Sequence, residues 1–436
     1  MSRAVRDQRT LLIFVFVMVL VPSVAWAAPA VGRSAVQLSF WTIWDGARVP
    51  LMERVLTEFS AEYPWITVDH VVLPSTQRYE KFLVAVTSGA PPDVMMLSLE
   101  EIPPLADAGL VQPLDEYMAR DGISTSMFFP SEIAPAEWNG SIYILPHTTG
   151  SAINNLLYYN KEMFRSAGLD DQKAPETWAE LKEAGRRLNR WSEDRQLTQV
   201  GVEVNALANR RFFAWAFSNG GTYATEDGRT LLFNSEKNRE TLEWLVDFTN
   251  DVNGGLDELA LFNRVYRNAF FTERKAMEIS GAFRLFQIVS ANPQLDLGVG
   301  LLPHQEGYES RGVSEGGSGY AIPAGVPHPE ESWLLVKWLT TSDVGGRWFM
   351  FEQRRPSPVI EFSLDRSYFD ANPHWPTIIQ ALETSVFLPR TPIEARLKQV
   401  EPQILTQAFS GTLPPAQVLD EYQRYGQALL DEYYQR

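Results

Sequence analysis

Residues Trp138 to Asn160 read WNGSIYILPHTTGSAINNLLYYN, and the fold turns on how they divide. Gly140 marks a turn into Ile142 and Ile144, an alternating pair that Pro146 stops; Leu156, Leu157, Tyr158 and Tyr159 then resume β-type composition before Asn160. Two strands therefore flank a polar hinge. His147, Thr148, Thr149, Gly150 and Ser151 offer donors and acceptors on small side chains that let a ligand approach the backbone. Taken alone, a solvated turn between paired strands explains the same pattern.

Upstream, strand and helix alternate. Val36 to Trp44 (VQLSFWTIW) is β-rich and ends at Asp45-Gly46, and Val49 to Tyr63 carries Leu51, Val55, Leu56 and Phe59 at helical spacing. Ile66 to Leu73 alternates again, Tyr79 to Ser88 is helical, and Val94 to Leu99 is a third apolar run. Such βαβ units build parallel sheets whose sites lie beyond the strand C-termini. Downstream, Thr177 is the expected N-cap of a long helix, and Val200 to Val204 reads as a strand. Met277 to Gly281 is a short strand that empties into Ala282-Phe283-Arg284 and a helix; Leu297 to Leu302 is another strand, stopped by Pro303. From Asp343 the chain reads as helices separated by Pro-rich turns at 355–358 and 389–392.

Arg3, Arg6 and Arg9 precede an apolar run from Leu11 to Leu20, and Ala25-Trp26-Ala27 has the small-x-small form of a cleavage site. Residues 1–27 thus read as a signal peptide, with the mature chain starting near Ala28. The chain has no Cys, which excludes a lipidated N-terminal Cys, a disulfide framework and thiolate metal sites. About 400 residues remain, enough for two or three domains. Loss of the leader, with three Arg and one Asp, takes the net charge from −16 to −18, which argues against nucleic acid and anionic membrane as partners. Of 13 Trp, 15 Tyr and 24 Phe many must be core, yet that many Trp also suits a site that stacks on flat ligand faces.

Enzyme motifs are thin. The five His, at 70, 147, 304, 328 and 374, show no paired metal-ligand spacing, and there is no Walker A motif. Gly312 to Gly316 matches G-x-S-x-G, but an extended Tyr320-Ala321-Ile322 follows where a nucleophile elbow needs a helix. What recurs is aromatic and hydrogen-bonding residues at strand ends: Trp41, Trp44 and Asp45; Ser98 and Glu100; His147 and Thr148; Phe283 and Arg284; Gly317 and Ser318. A sugar offers an apolar C–H face to aromatic rings and a rim of hydroxyls to carboxylates and guanidinium groups.

From about Leu38 to Tyr433 the chain resembles extracellular solute-binding proteins of ABC importers, the family with maltose-type and glycerol-3-phosphate-type members. The resemblance rests on ordered cues: Phe40-Trp41, Ser88-Gly89-Ala90-Pro91-Pro92-Asp93-Val94, Gly109 to Leu114, Ile142 to Pro146 with Leu157 to Lys161, Pro175-Glu176-Thr177-Trp178, Phe271 to Met277, and Gly316-Gly317. Three departures bear on the ligand. Gly281-Ala282-Phe283 stands where members often have Gly-x-Trp, the segment between Pro146 and Tyr158 is longer than usual, and Arg354-Arg355-Pro356 replaces a tyrosine-bearing turn.

The resemblance implies an α/β fold of the type II periplasmic-binding-protein kind, two lobes that close on ligand about hinge crossovers. The expected lobes are 36–146 plus 290–345 and 147–289 plus 346–436. By the family's pattern the site takes Trp44, Asp45, Tyr79, Ser98, Glu100, His147 and Thr148 from one side, and Trp215, Phe283, Gly317, Ser318, Arg355 and Arg396 from the other. Trp44 and Phe283 are expected to stack on a sugar, Asp45, Glu100 and Arg396 to hold hydroxyls, and Gly317 to permit close approach. No catalytic residue, metal or cofactor is implied. The expected protein is a periplasmic monomer that delivers a carbohydrate to ABC permease subunits and has no nucleic-acid partner. A glycerol-3-phosphate, glycerophosphodiester or polyol binder and a secreted glycoside hydrolase are the competing expectations.

Overall fold

Eight strands carry the architecture: β1 Val36–Thr42, β2 Ile66–Val72, β3 Val94–Ser98, β4 Leu145–Pro146, β5 Leu156–Asn160, β6 Met277–Ser280, β7 Leu297–Leu301 and β8 Ser318–Ala321. In this computed structural model the described residues are 34–150, 156–204, 206–207, 210–314, 317–388 and 391–435. The expected signal peptide, Ser151 of the hinge, Glu315-Gly316 of the glycine-rich run and Pro389-Arg390 of the second Pro-rich turn lie outside them.

The strands form two main sheets, ordered β2-β1-β3-β8-β4 and β6-β5-β7. In the first, β1 runs parallel to β2 and β3, while β8 is antiparallel to β3 and β4. Its middle strand β3 (VMMLS) buries Val94 to Leu97 on both faces, as a continuous apolar run must in a covered sheet. Helix α1, Val49–Glu62, places Met52, Val55, Leu56 and Phe59 against this sheet, matching the 3.6-residue period in the sequence. Arg78–Thr87, α2, follows β2 and contributes Phe82.

In the second sheet β5 is buried throughout and pairs antiparallel with both neighbours. Helix α3, Trp178–Leu188, begins at the expected cap: Glu180 N donates to Thr177 Oγ1 at 3.2 Å, and Thr177 N donates back to the Glu180 carboxylate at 3.2 Å. Val200 to Val204 does not form a regular strand. It meets the second sheet through Ala276 N to Val200 O and Met277 N to Gly201 O, both 2.8 Å, and then leaves it.

Two expected boundaries shift. The expected first lobe includes 290–345, but β7 pairs along its whole length with β5, so Leu297–Leu301 belongs to the second sheet. Conversely Phe349, Met350 and Val359, expected in the second lobe, are buried in the first core. Alternating Leu297, Val299 and Leu301 would suit either sheet; they pack here beside the cluster of Ile378 and Trp375. The chain therefore passes between the sheets between β4 and β5, between Ser314 and β8, and between Val359 and Tyr368.

Candidate functional site

At the C-terminal end of β3 the chain turns sharply, and the turn is held from inside. Ser98 N donates to Glu101 Oε2 at 2.8 Å, and Arg78 of α2 donates to Ser98 Oγ at 2.8 Å and to both Glu101 oxygens at 2.7 Å. With Ser98 and Glu101 committed to Arg78, Glu100 is the side chain of this turn that reaches the other lobe. Its Oε1 lies 3.0 Å from Lys398 Nζ on α5, Glu394–Phe409. Leu99, Glu100, Pro103 and Pro135 from the first lobe and Arg210, Phe387, Leu388, Thr391, Glu394 and Lys398 from the second line a small pocket of about 30 Å3.

The second-lobe wall is rigidified by a buried cation. Arg210, at φ +56°, donates to Glu401 Oε2 at 2.8 Å and Glu394 Oε2 at 2.7 Å, and Tyr422 donates to Glu401 at 3.0 Å. Glu394, Lys398 and Glu401 recur at three- and four-residue spacing, hence on one face of α5. Arg396, two positions from Lys398, is rotated about 200° from it and is exposed.

Toward the hinge, Asp45 is exposed and sits 3.4 Å from Arg48 Nη1. Arg48 also donates from Nε to Gln353 Oε1 at 3.1 Å, and its guanidinium lies 5.8 Å from the ring centre of Phe286 in the second lobe. Phe286 belongs to α4, Phe283–Ala291, so the half-buried Phe283, three residues earlier, shares the face that meets Arg48. Arg355, ahead of the third crossover, is 8% exposed.

Several expected site residues have internal work instead, which corrects their assignment. Trp44, 3% exposed, donates from Nε1 to Tyr320 Oη at 2.8 Å and meets His147 and Phe349 edge-on, so it offers no stacking face. His147 is likewise enclosed: Tyr320 Oη lies 3.0 Å from Nδ1, and Gly345 O lies 3.1 Å from Nε2. A carbonyl only accepts, so Nε2 carries the proton and Nδ1 accepts from Tyr320. Burial pushes the His147 imidazole down to about 4, helped by the Arg355 charge and opposed by the Gly345 bond.

Thr148 and Ser318 bind each other, Ser318 N to Thr148 Oγ1 at 2.8 Å and Thr148 N to Ser318 O at 2.9 Å. Gly317 does permit a close approach, but by this chain: a Cβ there would stand 1.6 Å from Thr148 O. Trp215, 1% exposed, packs with Trp178 and Trp244 in the second core. Tyr79 is half-buried against the first core, and burial, then Glu101, raises its hydroxyl pKa.

Of the expected residues, then, Glu100 reaches across to the second lobe, Asp45 and Phe283 lie beside the contact of Arg48 with Phe286, and Arg355 is buried within electrostatic reach of Arg48. Arg48, Phe286 and Lys398 were missed. Arg48 follows Asp45 by one helical turn and Phe286 follows Phe283 by the same interval, a spacing that could have flagged both. Lys398 carries no mark in the sequence that sets it apart from Arg396. Among the described residues no group of three or more acidic or His side chains could hold a metal ion, and no helix is long and apolar enough to cross a membrane.

Comparison with known proteins agrees with this architecture. The sn-glycerol-3-phosphate-binding periplasmic protein of Brucella abortus is 25% identical over 306 residues, 66% of this chain and 67% of that one. CpMnBP1 with mannotriose bound superposes with a TM-score of 0.76 at 22% identity, covering 89% of this chain and 99% of that chain. The maltose/maltodextrin-binding domain MalE of Bdellovibrio bacteriovorus, bound to maltotriose, gives 0.76 at 20% identity over 91% of this chain and all of that one. The fold is the two-lobed, type II periplasmic-binding-protein kind. Residues 46–345 match the bacterial extracellular solute-binding proteins, and the chain belongs to that family.

Proposed function

We propose that this protein captures a sugar or oligosaccharide between its lobes and delivers it to the membrane subunits of an ABC importer. One observation carries the reading: a pocket with walls from both lobes, bridged by the Glu100–Lys398 pair, between bodies linked by crossovers that can act as a hinge. Proteins of the same fold hold mannotriose and maltotriose. Ligand meets one lobe first, and contacts to the second stabilise the closed form, so measured affinity includes the cost of closing. The leader-like N-terminus and the family support a working protein in the periplasm. Capture and release need no covalent step.

Titration calorimetry of the mature chain against neutral and acidic sugars, their oligomers and glycerol phosphate, with product analysis, tests this. Saturable binding of a carbohydrate recovered unchanged is expected. Release of shorter sugars, or binding confined to glycerol phosphate, would overturn it.

A further inference from the structure

We propose that the carbohydrate carries a negatively charged group, received by Arg355 together with Arg48 beside the contact that Arg48 makes with Phe286 of the second lobe. This rests on the carbohydrate reading above and adds the charge of the ligand.

The buried guanidinium groups of this chain differ in how they are compensated. Removing an arginine from water is costly unless a carboxylate offsets the loss. Arg78, with a side chain 7% exposed, has Glu101 at 2.7 Å; Arg210, 1% exposed, has Glu394 at 2.7 Å and Glu401 at 2.8 Å. Arg355, 8% exposed, forms no ion pair among the described residues. The same fold that neutralises its other buried arginines leaves this one open.

The surroundings deepen the contrast. Arg48 is within electrostatic reach of Arg355 and opposes its charge. Arg48's side chain is only 15% exposed, and its own carboxylate partner, Asp45, is 76% exposed at 3.4 Å, the solvent-screened kind of pair that contributes little. Beside the neutral His147, two groups with fields that favour the cation face Arg355. The Tyr158 hydroxyl is already committed to Gly281 O at 2.8 Å, and the buried Glu132 accepts from Gly150 N at 2.6 Å. Their fields favour the cation, but burial and Arg48 outweigh them and lower Arg355 to about 9.

A carboxylate or phosphate between these two guanidiniums would supply the missing charge, and the planar fork of arginine suits either group bidentately. Opposite stand Phe286 and, on the same face of α4, Phe283, which can take the C–H face of the attached ring. In a chain of net charge −16, a concentrated positive site in a cleft also selects against the neutral competitor.

The experiment is calorimetry of the mature chain with matched pairs: galacturonate and galactose, glucuronate and glucose, their di- and trisaccharides, and glucose phosphate. The anionic member of the best pair is expected to bind at least ten-fold tighter, with an affinity that weakens as NaCl rises. Arg355→Met should bring the anionic-to-neutral preference close to one. Arg48→Gln, at a less buried position, should reduce the same ratio and carries the test if Arg355→Met fails to fold. The tighter of the uronate and phosphate arms names the anionic group. Equal or tighter binding of the neutral partner, or an unchanged ratio in both variants, overturns the charge assignment while leaving carbohydrate capture intact. Failure of every carbohydrate to bind overturns both.

Discussion

Acidification should weaken this fold through His147 more than through any exposed group. The imidazole sits near 4 in the folded chain against 6.5 when free, so between those values the unfolded chain binds a proton that the folded chain does not. Stability then rises with pH and is lost as pH falls from about 6.5 toward 4. For that pair of values, going from pH 7 to pH 5 removes about 2 kcal/mol, and the full shift corresponds to about 3 kcal/mol. His70 and His374 are also lowered, chiefly by burial, and act in the same direction, so the contribution must be isolated by difference. His147→Gln keeps a donor for Gly345 and an acceptor for Tyr320 but cannot titrate. Urea unfolding at pH 7 and pH 5 should show the parent losing about 2 kcal/mol more than the variant. Equal losses, or an imidazole resonance titrating near 6.5, would refute the reasoning. Unchanged ligand affinity in the variant at pH 7 would accompany the expected result, because the ring is sealed behind Tyr320 and Phe349.

Gly317→Ala should cost about 3 kcal/mol or more, because the added Cβ meets backbone oxygen rather than a movable side chain; thermal denaturation reads this directly. Arg210→Met leaves Glu401, which is fully buried, without its cation, and denaturant unfolding should register a loss of about 3–5 kcal/mol. Lys398→Met breaks the partly exposed pair with Glu100 that spans the lobes; about 1 kcal/mol of closure, or roughly five-fold in ligand Kd, should be lost with little change in melting temperature.

The fold was legible because its determinants are periodic. Thr177 and Glu180 spell a cap, Leu51 to Phe59 spell a helix face, and Val94 to Leu97 spell a covered strand. The lobe boundaries were not, because Leu297, Val299 and Leu301 would alternate identically in either sheet, and only the pairing with Leu156 to Asn160 decides. At the site, residue type misled where it outweighed burial. Trp44 and Trp215 look like stacking platforms, yet a large ring near a strand end fills a core as readily as it lines a cleft, and here both do the former. Glu100 and Ser98 are adjacent to the same turn and equally polar; Arg78, twenty residues earlier, fixes which of them reaches outward. Nothing in a single sequence predicts that partnership.

The described contacts that span the lobes also bear on what drives closure. Away from the third crossover, where Tyr368 Oη donates to Arg347 O at 2.8 Å and its ring packs on Phe351, the contacts Glu100–Lys398, Arg48 over Phe286 and Tyr433 donating to Asp107 are polar and at least partly exposed. Such contacts contribute about 1 kcal/mol or less apiece, so together they bias the closed form by about 2–3 kcal/mol before the cost of ordering the side chains is subtracted. A ligand bound at micromolar Kd brings about 8 kcal/mol, and moving a two-state population from one extreme to the other takes about 5.5 kcal/mol of differential affinity. These three contacts are therefore too weak to hold the lobes shut by themselves, and ligand binding can supply the larger share of the free energy of closure. A buried arginine without an ion-pair partner strengthens this dependence, since its desolvation is only partly offset until the ligand arrives.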